Sequence, residues 1–135
     1  MTVYKRREFR IGDLVNLNQT KLQDIPASLV CLALSTINKI IPRFRVVEVS
    51  DNIARIKHVK SSEEFNVSVK ILVAAFNNVR SNRAKKIVVV NVNGIEIFGK
   101  LIKYTYRIRG KIQKEDGEIV VFNSSKNNLG FVEEI

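Results

Sequence analysis

The chain has 135 residues, is 45% hydrophobic and carries a formal net charge of +10. Those values describe one folded domain or two small ones, and they exclude a disordered chain. No apolar run is long enough to cross a bilayer. The single cysteine, Cys31, excludes an internal disulfide, and the one histidine, His58, has no second histidine with which to hold a metal.

Residues 1–10 place Lys5, Arg6, Arg7 and Arg10 against one acid, Glu8. No apolar segment follows as in a secretory signal, and an intracellular location is expected, cytoplasmic or nucleoid, or the host cytoplasm for a viral protein. The segment itself is expected to be a mobile or partly ordered arm. Gly12-Asp13 then marks a turn, and Leu14, Val15 and Leu17 supply a short strand. From Asp24 to Ile41 the spacing predicts a helix. Asp24 is its N-cap, Pro26 lies in its first turn, and Leu29, Ala33, Ile37 and Ile40 share a face with Val30, Leu34 and Ile41. Pro42 stops it. That apolar face is expected to pack on the protein's own sheet. The alternative is that helix 26–41 docks on a partner or on a second copy in a homo-oligomer.

Residues 43–75 predict a β-meander. Its strands begin at Phe44, Ile53 and Phe65, with Phe44, Val46 and Val49 supplying the apolar residues of the first and Phe65, Val67 and Val69 on one face of the third, which runs to Val73, and its turns fall at Ser50-Asp51-Asn52 and Ser61–Glu64. His58, between Lys57 and the nearby Lys60, is expected at the surface or rim, without a catalytic role. Residues 77–86 are polar and basic and predict a linker. Ile87–Phe98 predicts a hairpin, because Asn93-Gly94 between β-branched runs suits a two-residue turn with positive φ at both central positions. Gly99 allows a bulge or bend. Lys100 to Lys114 predicts one long strand. In it Tyr104, Tyr106, Ile108 and Ile112 face inward and Lys103, Thr105, Arg107, Arg109, Lys111 and Gln113 face outward. Glu115-Asp116-Gly117 turns the chain, residues 118–122 pair back, and residues 130–135 close the sheet as a last strand.

The excess charge is gathered rather than spread. Between Arg80 and Lys114 lie ten basic residues, Arg80, Arg83, Lys85, Lys86, Lys100, Lys103, Arg107, Arg109, Lys111 and Lys114, against Glu96 alone. With Lys5, Arg6 and Arg7 these are the candidate contacts to a polyanion. Cations recurring at about 7 Å along one strand face repel one another unless salt or a polyanion screens them. No catalytic constellation accompanies them. The six glycines are scattered over turns, no nucleophile has a histidine base at a working spacing, and the acids sit where turns need them. No enzyme activity, metal or cofactor is expected, and no lipidation motif or amphipathic cationic helix points to a membrane.

Phe9-Arg-Ile-Gly-Asp-Leu-Val-Asn-Leu, then Phe44-Arg-Val-Val-Glu-Val, Ala54-Arg-Ile, Phe65-Asn-Val-Ser-Val and Leu72-Val73 resemble the strands of SH3-like barrels of the KOW and Tudor type, over roughly the first 75 residues. The helical insert after the first strand and the missing KOW glycines depart from that pattern. Phe44 and Phe65 are expected in the core rather than in an aromatic cage. The second half resembles a small OB-like barrel or meander, and the two halves in this order resemble small transcription-modifying DNA-binding proteins of large phages. The expectation is thus a mainly β fold with one inserted helix, an SH3-like barrel at 1–76, a linker at 77–86 and a small β unit at 87–135. The expected function is nucleic-acid binding without sequence specificity, with duplex DNA favoured over RNA, in nucleoid association or transcription. The alternatives are a module that binds an acidic protein, as inhibitor or adaptor, and a ribosome-associated RNA-binding protein.

Overall fold

The computed structural model describes residues 2–25, 27, 29, 44–76, 86–104 and 109–135. The fold is mainly β, and it divides into two units, Phe9–Ala75 and Met1–Glu8 together with Phe76–Ile135.

The unit Phe9–Ala75 is a five-stranded sheet curled into a half-barrel. Its strands are β2 (Leu14–Leu17), β3 (Phe44–Ser50), β4 (Ile53–His58), β5 (Glu64–Ser68) and β6 (Leu72–Ala74), in the spatial order β5-β4-β3-β2-β6. Gly12 enters the sheet with a φ of 96°, which a residue without Cβ adopts at little cost, and its N–H donates to the Val46 carbonyl at 2.8 Å. The two-residue turn between Ser50 and Ile53 sets Asp51 at φ 51°. The apolar positions 44, 46 and 49 are not evenly spaced by two. A register shift between Val46 and Glu48 absorbs the extra residue, so a bulge keeps both ends of β3 in step with β4. The stretch 65–73, expected as one strand, is two. Ser68 caps a 3-10 turn at Val69–Ile71, its Oγ accepting from the Lys70 N–H, and the chain swings from the β5 edge to the β6 edge of the sheet. Val15, Phe44, Val46, Ala54, Ile56 and Val73 are fully or almost fully buried inside.

His58 corrects a reading of the sequence. It is buried rather than at the surface, its ring 5.2 Å from that of Phe44, and its Nδ1 accepts the Ser61 N–H at 3.1 Å. The alternation in β4 buries Ala54, Ile56 and His58 together. Phe44 is likewise core, with Phe65 set edge-on at 6.3 Å. The helix expected at 24–41 lies outside the described residues, apart from a kinked 3-10 segment at Gln19–Asp24 and the helical Ala27 and Leu29, the latter buried.

The other unit is built on a four-stranded antiparallel meander, β7 (Ile87–Val92), β8 (Ile95–Tyr104), β9 (Arg109–Gln113) and β10 (Ile119–Asn123), in the order β10-β9-β8-β7. Asn93 and Gly94 turn β7 into β8 with φ of 54° and 86°, and the Gly94 N–H donates to Asn91 Oδ1 at 3.0 Å. Gly94→Ala is therefore expected to destabilise the unit by about 1–2 kcal/mol through left-handed strain alone, since open space surrounds the position. Thermal unfolding of the variant measures it.

Residues 1–10 are not simply an arm. Tyr4–Arg6 form β1, which pairs antiparallel with β11 (Val132–Glu134) in a separate two-stranded sheet. The last strand thus closes on the first, and an isolated bridge from Gly130 to Val89, hydrogen bonds between Asn91 and Asn127 and the Arg6–Glu96 ion pair tie this end to the meander. The linker expected at 77–86 lies, except for Lys86, outside the described residues.

Candidate nucleic-acid interface

The stretch 100–114 does not form one strand. Its described parts are the end of β8 and all of β9, two antiparallel neighbours, with residues 105–108 outside the described chain. The cations are consequently laid side by side instead of end to end. Lys103 stands directly opposite Lys111, and Lys100 opposite Gln113. Between these two pairs the register shifts, from Leu101 opposite Ile112 to Lys103 opposite Lys111, so β8 spends two residues where β9 spends one. Lys100 and Lys103, an odd number of residues apart, are thereby brought to the same face of the sheet.

β9 alternates strictly. Arg109, Lys111 and Gln113 are exposed, while Gly110 and Ile112 are buried with Leu101 and Tyr104 of β8 on the inner face. Tyr104 stacks on Phe122 at 6.2 Å and meets Phe76 edge-on at the same distance. The inward and outward sets expected from the sequence hold for every one of those residues that is described. One face is therefore anchored in an apolar core, and the other presents Lys103, Arg109 and Lys111 exposed with Lys100 half-buried.

Facing residues of an antiparallel pair have Cβ atoms about 5 Å apart, and like charges there are unfavourable. Lys100, Lys103 and Lys111 have no ion pair among the described residues. The outer face of the other unit is the contrast: Arg55 of β4 reaches Glu48 of β3 at 2.6 Å and Glu64 of β5 at 3.2 Å. Arg55 is thus neutralised by two acids, although Arg45 and Lys57 also stand opposite each other on that face; no described acid pairs with Lys100, Lys103 or Lys111.

Five further candidates have partners of their own. Lys114, beyond the end of β9, is held by Glu118 at 3.1 Å and Asp116 at 3.7 Å, and the hydrogen bond to Glu118 with the charges of both acids keeps its ammonium above the ordinary lysine range. Lys5 pairs with Glu133 at 3.5 Å, and Arg6 Nε donates to Glu96 at 2.9 Å. Arg7 lies over the ring of Phe131 at 4.5 Å, and Lys86 over Phe76 at 5.3 Å. Arg80, Arg83, Lys85 and Arg107 fall outside the described residues. Of the thirteen, the structure brings four together on one face: Lys100, Lys103, Arg109 and Lys111.

A groove of about 650 Å³ adjoins this face where β1 passes the meander. Tyr4, Ile87 and Phe98 line it with Lys100, Gln113 and Lys114. Nothing local in the sequence marks Tyr4 or Phe98 for such a place, because strand β1 is set by a partner at the far end of the chain. Among the described residues no three His, Cys, Asp or Glu side chains gather to hold a metal ion, and no helix is long and apolar enough to cross a membrane.

No protein-family model matches the chain, and no curated protein matches it in sequence. Function is accordingly read from the geometry of the β8–β9 face.

Proposed function

We propose that this protein binds nucleic acid, duplex DNA in the first place, through its phosphates and without reading sequence, in a nucleoid-associated or transcription-modulating role. The observation that carries the reading is the Lys103–Lys111 pair. Two ammonium groups held opposite each other without a counter-charge among the described residues, and flanked by Lys100 and Arg109, are relieved by a polyanion. Phosphate contacts of this kind give affinity and orientation but no sequence information. A preference for duplex over single strands follows from Tyr104, whose ring is buried and offers no platform for an unstacked base.

The layout of the first unit supports the SH3-like reading. A strand opening on Gly12-Asp13 and followed by the β3–β4–β5 meander is the order which that resemblance implies. The β7–β10 meander fits the small β unit expected after it. In this reading the cationic face belongs to the second unit, and the first serves as scaffold or as a protein-binding module.

Fluorescence anisotropy with two labelled duplexes of unrelated sequence tests the proposal. Equal affinities for the two, both weakened far more by unlabelled duplex than by the same mass of RNA, are expected. A preference for RNA moves the reading to a ribosome-associated or other RNA-binding role. No binding to either, together with protein partners retained from nuclease-treated lysate, replaces it with an adaptor or inhibitor that meets an acidic protein.

A further inference from the structure

Among the described residues no strand pairs with the outer edge of β10, and its peptide groups are arranged to recognise their own copy. Hydrogen-bonded and non-hydrogen-bonded pairs alternate along an antiparallel ladder. The Lys114 N–H donates to the Glu118 carbonyl at 2.9 Å, which makes that pair a hydrogen-bonded one and fixes the phase of the β9–β10 ladder. Ile119 and Val121, opposite Gln113 and Lys111, therefore turn their N–H and C=O groups away from β9. The next residue in the series, Asn123, has its outward groups occupied. Its N–H donates to Asn127 Oδ1 at 2.9 Å, and its carbonyl accepts from the Asn127 N–H at 2.8 Å. No hydrogen bond from another described residue reaches the outward groups of Ile119 and Val121. The opposite edge of the same meander is covered, since Val89 and Gly130 exchange both of their hydrogen bonds and the Asn91 N–H donates to the Asn127 carbonyl.

The side chains agree with the backbone. Ile119 is 44% exposed and Val121 67%, both β-branched, on the face that carries Lys111 and Lys103. No lysine, proline or bulge guards residues 119–121, the usual devices against edge pairing.

We propose that two copies of this chain pair antiparallel through β10 about a two-fold axis at Val120. Ile119 of each copy then faces Val121 of the other, and four hydrogen bonds satisfy the outward groups that are open in each. Two Ile–Val pairs cover the exposed side chains, and Glu118 falls opposite Phe122 rather than another acid. A self-complementary strand of this kind makes the closed, isologous contact typical of dimers. The two-fold axis stands perpendicular to the sheet, so both Lys103–Lys111 pairs emerge on the same side of one eight-stranded sheet, doubling the cationic face. The contact is short beside the ~1,200 Å² of stable complexes, so the dimer is weak and forms at high protein concentration.

The test uses no nucleic acid and is independent of the binding reading. In a Cys31→Ser background, Val120→Cys and Ile119→Cys are compared under mild oxidation. Val120 sits on the axis at a non-hydrogen-bonded position, where facing Cβ atoms come within disulfide reach. Ile119 is displaced along the strand from its own copy. Covalent dimer from Val120→Cys in several-fold excess over Ile119→Cys is expected, and equal or reversed yields overturn the proposal. Sedimentation equilibrium of the unmodified chain provides the second arm. A mass that rises above 15.4 kDa with concentration, and returns to it in Val121→Lys, supports the dimer. A constant monomer mass overturns it, as does association that Val121→Lys leaves intact.

Discussion

Reversing both lysines of the facing pair, Lys103→Glu with Lys111→Glu, is expected to weaken duplex DNA binding roughly a hundredfold at low salt and to leave the fold intact. Both side chains are exposed and neither contributes to the core, so the substitutions act on the field at the surface. The single variant Lys111→Glu separates function from structure. It places an acid opposite Lys103, turning a repulsive cross-strand pair into an attractive one. Such exchanges are worth about 0.2–1 kcal/mol on a sheet, so Lys111→Glu is expected to melt a few degrees higher than the native protein while binding DNA more weakly. Anisotropy and thermal unfolding on the same preparation measure the two effects. A variant that both melts and binds like the native chain contradicts the proposed interface. Loss of stability instead of gain means that the two ammonium groups do not face each other.

Gly110→Ala is expected to destabilise the unit that carries this face by about 3 kcal/mol, a large fraction of the stability of a small domain. Gly110 is opposite Tyr104 on one side and Phe122 on the other. The two rings stack at 6.2 Å over the strand, and the missing side chain is what lets them approach. A Cβ at this position meets the Lys103 carbonyl oxygen at 2.5 Å and Phe122 Cζ at 2.6 Å. The first contact is with backbone and the second with a ring packed in the core, so neither yields cheaply. Denaturant unfolding is expected to show a lower midpoint with an unchanged slope. A midpoint equal to that of the native protein contradicts the packing described for β8, β9 and β10. Because Lys103 and Arg109 flank this contact, the variant is also expected to bind DNA less well near its melting range and almost normally well below it.

Local chemistry made the turns legible and long-range pairing did not. Asn93-Gly94 demands positive φ at both positions, and the hairpin follows from two residues. The three-strand meander from Phe44 was readable for the same reason, its apolar periods being punctuated by Asp51-Asn52 and by Ser61-Ser62. The reversal between Tyr104 and Arg109 carried no such mark. Residues 104–109 contain no Gly, Pro, Asn or Asp, and the alternation of apolar and polar residues runs on through them. Alternation continued across a chain reversal still sorts residues to the right faces, which is why the inward and outward sets were right while the strand was not. His58 was misplaced although its signal was present, since it continues the period of Ala54 and Ile56. The flanking lysines outweighed that period in the reading. Strand β1 could not be foreseen, because its partner β11 begins at Val132 and nothing near Tyr4 specifies it. The candidate site was legible as a cluster of charge but not as a surface. Arg6, Lys5 and Lys114 are spoken for by Glu96, Glu133 and Glu118, acids that lie beyond any local window or, for Lys114, across a turn.

The salt dependence of duplex binding is the most direct measurement of all. Four clustered cations that neutralise four phosphates release their counterions, giving a slope of about −3.6 for the logarithm of the association constant against the logarithm of salt concentration. Removing Lys103 and Lys111 is expected to take about 2 from the magnitude of that slope. A native slope near zero, or one that the double substitution leaves unchanged, contradicts a phosphate-binding face on β8 and β9.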